Sequence, residues 1–135
     1  EYRPAEGMRR FVSGTPPIVG MLAMQDTLAM IADAGIDAIR EKSVALTAFT
    51  LRVADDLLAP LGVQVASPRD PDSRGGHVTL SHPAMRAVTA RLWETDIVPD
   101  YRDPDGLRIG LPPLSTSLTA TLTGLVGVRD AITTP

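Results

Sequence analysis

The sequence predicts an α+β domain, with helices on one face of a small, mainly antiparallel sheet. Three observations carry this. Apolar residues recur at helical spacing in long segments near both ends, and at strand spacing in short segments between them. The order of segments is helix, helix, strand, strand, helix, strand, strand, helix. And 135 residues, 44% of them apolar and 21% charged, suffice to close one core. Only five residues are Phe, Trp or Tyr, so that core must be built from Leu, Val, Ile, Met and Ala.

Residues 1–17 read as irregular, broken by Pro4, Gly7, Gly14, Pro16 and Pro17. Pro17 suits the first turn of a helix, where its missing N–H costs nothing. Met21, Met24, Leu28 and Ile31 then recur at helical spacing, and Gly35 is a good C-cap. That methionine-bearing stripe is expected to be core or interface. A second helix starts near Asp37, a plausible N-cap. Ile39, Leu46, Phe49, Val53 and Leu57 mark its apolar face, and Pro60 and Gly62 end it. Val63 to Ala66 reads as a strand. SPRDPDSRGG, residues 67–76, is a loop by its Pro, Gly, Asp and Ser content. HVTLS, residues 77–81, is a second strand. Pro83 opens a helix with Met85, Val88 and Leu92 inward, closed by Asp96. Ile97 and Val98 read as a short strand that Pro99 places at an edge or end, and DYRDPDG, residues 100–106, reads as a turn. Leu107 to Gly110 is a further strand. From Ser117 a last helix carries Leu118, Leu122, Leu125, Arg129 and Ile132 on one stripe. Its threonines and two glycines give it poor propensity, so packing must hold it.

Composition excludes several function classes. A net charge of −3 supplies no basic surface for nucleic acid or anionic membrane. No apolar run reaches the roughly 20 residues of a membrane span. The absence of cysteine removes disulfides, thiol nucleophiles and thiolate metal sites, and fits a reducing cytoplasm. Lys42 is the sole lysine against twelve arginines, and the chain opens without methionine, as a piece of something longer would.

Two stretches could handle anions. In GLRIGLPPLSTS, residues 106–117, Leu107, Ile109 and Leu111 alternate toward one face, so Arg108 points to the other. Gly110 shares that face and leaves room, while Pro112 and Pro113 stiffen the exit. A solvated arginine fits this, and so does a fork gripping a carboxylate. In RRFVSGTPP, residues 9–17, Gly14 allows close backbone approach and Thr15 offers a hydroxyl ahead of a helix N-terminus. A helix-entry turn capped by Thr15 fits equally. The rest is quieter. His77 and His82 have no neighbours at metal-ligand spacing, so no metal site is expected. No Ser–His–Asp set assembles. RGG at 74–76 lacks the lysine and spacing of a phosphate loop. Asp55 and Asp56 read as a solvated helix face.

Taken in order, YRPAEGMRRFVSGTPPI, AGIDAIREKSVALT, SPRDPDSRGGHVTLSHP and DYRDPDGLRIGLPPLSTS resemble the C-terminal part of the kynureninases, in register over nearly the whole chain. The resemblance implies the C-terminal small domain of a pyridoxal-phosphate enzyme of fold type I, the aspartate-aminotransferase-like class V group. Residues 1–17 would be a connector and active-site segment from the large domain, and 18–135 the small domain. It further implies a cytoplasmic homodimer that hydrolyses the small amino-acid substrate kynurenine to anthranilate and alanine, in tryptophan breakdown and NAD synthesis. The family's substrate-carboxylate arginine falls on Arg108. Its phosphate contact across the dimer falls on Gly14 and Thr15. The Schiff-base lysine would lie upstream, since Lys42 does not match it, so this chain alone is expected to bind no cofactor and to be inactive. Ser115 stands where the family usually has an aromatic. That keeps another class V enzyme, aminotransferase- or desulfurase-like, as an alternative, beside a non-catalytic partner-binding domain.

Overall fold

A computed structural model describes residues 3–134. They divide into two compact units, one reaching to Gly35 and the other starting at Ile36.

The N-terminal unit holds one 3-10 turn, Gly7–Phe11, and helix α1, Ile18–Ala34. Pro17 stands at the N-cap of α1, one position ahead of the first turn, and no side chain caps the helix, so Thr15 does not serve as its cap. Gly35 closes it at a φ of 77°, which a side chain would strain, and donates its N–H to the Ile31 carbonyl. Apolar residues surround the helix on every side, and none of them is buried. Met21, Met24 and Leu28 are all more than half exposed, so the stripe forms no core.

The C-terminal unit contains helices α2 (Ile36–Leu57), α3 (Met85–Trp93) and α4 (Leu118–Thr133). Its four strands are β1 (Gln64–Val65), β2 (His77–Ser81), β3 (Asp100–Arg102) and β4 (Gly106–Gly110). They form one antiparallel sheet in the order β1-β2-β4-β3. The α+β class expected from the sequence is what the chain adopts. Val78, Leu80 and Leu107 point from the sheet into a core completed by Leu46, Leu51, Met85, Val88, Leu92, Leu125 and Val128. No aromatic residue is fully buried there, as the composition requires. Among the described residues no single helix is long and apolar enough to cross a membrane.

Four details differ from the sequence expectation. Helix α2 opens at Ile36, directly after Gly35, so Asp37 lies in its first turn and is not its cap. Its buried side is Ser43, Leu46, Thr47, Thr50, Leu51 and Ala54. Phe49, Val53 and Leu57 are only half-buried beside it. The hydroxyls of Thr47 and Thr50 donate to the carbonyls of Ser43 and Leu46, which satisfies them inside the core.

Helix α4 is rotated in the same way. Thr121, Leu125 and Val128 face inward, while Leu118 and Leu122 are exposed. Gly127 is there for closeness: a Cβ on it would stand 2.6 Å from Ile97 Cδ1. Ile97 and Val98 are not a strand. Ile97 packs against the core, Val98 is exposed, and the Ile97 N–H is taken by the Leu92 carbonyl at the end of α3. The strand lies three residues on, inside the segment expected to be a turn. Asp100–Arg102 pairs with Gly106–Arg108, and only residues 103–105 turn.

Candidate functional site

The sheet has one face on the core, and the other carries the charged cluster. Leu107 is fully buried, and Arg108 therefore points away from the core, as alternation along the strand requires. Its register neighbours are Thr79 on β2 and Asp100 on β3. Arg108 Nη2 donates to Asp100 Oδ2 at 2.5 Å, and Arg102 Nη2 reaches the same oxygen at 2.6 Å. The cluster thus holds two cations and one anion, a net charge of +1. The Arg108 side chain is 38% exposed, so it is accessible while fixed at one point. The space beside it is open: Gly110, on the same face, has nothing within 4 Å of where a Cβ would stand. Beyond it, Pro112 closes a turn whose carbonyl accepts the N–H groups of Ser115 and Thr116, and Ser115 is exposed.

This arrangement is suited to a carboxylate. A guanidinium has two edges of paired N–H groups, and both edges include Nη2. One hydrogen given to Asp100 leaves a whole edge for a second anion, and a planar fork matches a carboxylate's two oxygens. On the core side, β4 borders an apolar cleft of about 180 Å³ lined by Leu92, Ile97, Ile109, Leu111 and Thr121, which has no charge to offer an anion.

Gly14 and Thr15 lie in the N-terminal unit. With Phe11, Val12, Ser13 and Pro16 they line a shallow hollow at the start of α1, and both are exposed. A Cβ on Gly14 would meet nothing within 4 Å, so its backbone is open to close approach.

The sequence reading missed two groups. Asp100 was hidden in a segment read as a turn. Reading Tyr101 as the single inward residue of a three-residue strand would have placed it opposite Arg108. Arg74, in the RGG segment, is 6% exposed. Its Nη1 donates to the carbonyls of Pro68 and Arg69, and its Nε has no partner. From α2, Arg40 donates to the carbonyls of Pro71 and Arg74. These arginines pin the 67–76 loop by its carbonyls.

The remaining candidates have local roles. His82 Nδ1 accepts the Ala84 N–H at the entry to α3, and His77 is exposed at the start of β2. Among the described residues no three His, Asp or Glu side chains converge to hold a metal ion. Lys42 is exposed on α2. Asp55 is on the outer side of α2 but is not simply solvated. Arg69 grips both its oxygens at 2.7 Å, and those hydrogen bonds hold its carboxyl below the usual value. Arg86 lies 4.6 Å over the Tyr101 ring and pairs with Asp103 at 2.9 Å.

Residues 39–123 match the family model described as the kynureninase C-terminal domain. Curated relatives agree. A kynureninase of Deinococcus radiodurans is 36% identical over 99% of this chain and 33% of the relative. A kynureninase of Pseudomonas fluorescens is 32% identical over 87% of this chain and 28% of the relative. One from Shouchella clausii is 34% identical over 78% of this chain and 25% of the relative. The chain thus spans about a third or less of the length of the curated relatives it matches.

Proposed function

The chain belongs to the kynureninase family as its C-terminal domain, and on that premise we propose that it is the C-terminal third of a hydrolase converting L-kynurenine and water to anthranilate and L-alanine. The family match over residues 39–123 carries the reading, because the arginine suited to an amino-acid carboxylate lies inside it. Arg108 holds the substrate's α-carboxylate by the free edge of its fork. This fixes the substrate's orientation, so that the bond to be broken keeps one angle to the cofactor ring. Pyridoxal phosphate, when bound, supplies the electron sink for that bond cleavage.

The residues of this chain fit only the cofactor's phosphate. The open backbone at Gly14 and the exposed Thr15 hydroxyl suit an anion, and in the proposed homodimer they reach the neighbouring subunit's phosphate. For the ring the chain offers only Lys42, exposed on α2, so the Schiff-base lysine belongs to the missing N-terminal large domain. In this reading residues 1–17 are the connector from that domain and the small domain follows from residue 18. The exposed apolar residues between Met8 and Met30 support a covered surface there. The enzyme is cytoplasmic and works in tryptophan breakdown, and the chain alone is inactive.

The test is product analysis of the full-length enzyme given L-kynurenine. Anthranilate and alanine in equal amounts support the reading. A transamination product or released sulfur would instead support another class V enzyme, the alternative kept by Ser115 standing where the family usually has an aromatic. In the same enzyme Arg108→Ala should raise KM strongly, by about 2–5 kcal/mol of lost charge-assisted contact. An unchanged KM would remove Arg108 from the substrate site.

A further inference from the structure

Arginine on a half-wet strand has a long stem and many rotamers, and a substrate clamp must lose that freedom. The β3–β4 register supplies the means. Asp100 and Arg108 face each other across the ladder, so the backbone fixes the distance between them. Asp100 Oδ2 accepts from Arg108 Nη2, and among the described residues no other hydrogen bond is made by that guanidinium. Arg102, two residues along β3 on the same face, steadies the same oxygen.

We propose that Asp100 is a positioning residue: it presents the free edge of Arg108 to the substrate carboxylate. This rests on Arg108 being the carboxylate clamp. Two features make Asp100 an orienting group. It engages Arg108 through a single nitrogen, so it leaves a fork edge open. Arg102 offsets its charge, so the cluster keeps a net charge of +1 and still attracts an anion. Asp100 opens β3, in a hairpin whose turn is only three residues, which keeps it in register.

The experiment uses the full-length enzyme with Asp100→Asn, which keeps shape and removes the charge. KM for L-kynurenine should rise about tenfold, the size of one charge-assisted hydrogen bond, while kcat changes by less than about threefold. Asp100→Glu should restore part of the loss. Two competitive inhibitors separate orientation from general loosening of the hairpin. A non-reacting analogue that keeps the α-carboxylate should weaken by the same factor as the substrate. The amine lacking that carboxylate should be unaffected. A fall in KM would make Asp100 a competitor for the fork, and equal weakening of both inhibitors would make it merely structural; either overturns the proposal. So does an unchanged KM in Asp100→Asn when Arg108→Ala raises it. An unchanged KM in Arg108→Ala is a different result, which overturns the clamp itself.

Discussion

The two units of the chain carry similar residues to opposite ends. In the C-terminal unit, Leu80 and Leu107 are wholly buried, and the helices beside them hide Leu46, Met85 and Leu125. In the N-terminal unit, Met8, Phe11, Val19 and Met24 are just as apolar and stand mostly in the open. Helix α1 has the apolar content of a core helix without a core of its own. A helix apolar all round is stable when something surrounds it. The C-terminal unit is thus a finished domain. The helix of the N-terminal unit buries none of its residues, and in the proposed function it meets surfaces of the rest of the enzyme.

The largest effect that sharpens this contrast comes from truncating one residue of each kind. In denaturant unfolding of the chain, Leu80→Ala should cost about 2–5 kcal/mol, because it leaves a cavity in a dry core. Met24→Ala, at a residue 57% exposed, should change stability by less than about 0.5 kcal/mol. Equal costs would break the contrast. Next comes Gly127→Ala, which forces a methyl against Ile97 and should cost about 1–3 kcal/mol, despite alanine's better helix propensity. A stabilised variant would show that α4 and the segment after α3 do not pack as described.

The smallest effect is electrostatic. Arg69 lowers the Asp55 carboxyl below its unfolded value of 3.8, so the pair stabilises the fold above that pH. The contribution is lost as pH falls through the still lower folded value. Both partners are largely exposed, so solvent screens the gain. The small stability difference between the parent chain and Asp55→Asn at pH 6 should therefore vanish near pH 2. A difference that persists there would have another cause.

Most of the finished domain was legible in the sequence. HVTLS and LRIG show clean alternation, and both are central strands at the expected residues. What was lost follows from two physical facts. Apolar spacing overlooks Thr47, Thr50 and Thr121, which the helices bury with their hydroxyls bonded back to the preceding turn. Both helix faces were misjudged for that reason. And β3 is three residues long, with Tyr101 alone turned inward, too short for alternation to reveal. Arg108 could be found because apolar neighbours frame it. Asp100 could not, because its meaning depends on a register that only the paired hairpin defines. Arg74 looked like loop chemistry, since nothing in RGG announces that carbonyls will bury a guanidinium.

Amide hydrogen exchange tests the central claim most directly, measured on this chain alone and on the full-length enzyme. In the chain alone, amides of β2 and β4 should exchange at the rate set by global unfolding, and those of α1 orders of magnitude faster, since an unsupported helix of this length is marginal in water. In the full-length enzyme the α1 amides should become protected while β2 and β4 change little. Slow α1 exchange in the chain alone, or fast exchange in both proteins, would contradict the account: helix α1 would then need no other surface, or have none.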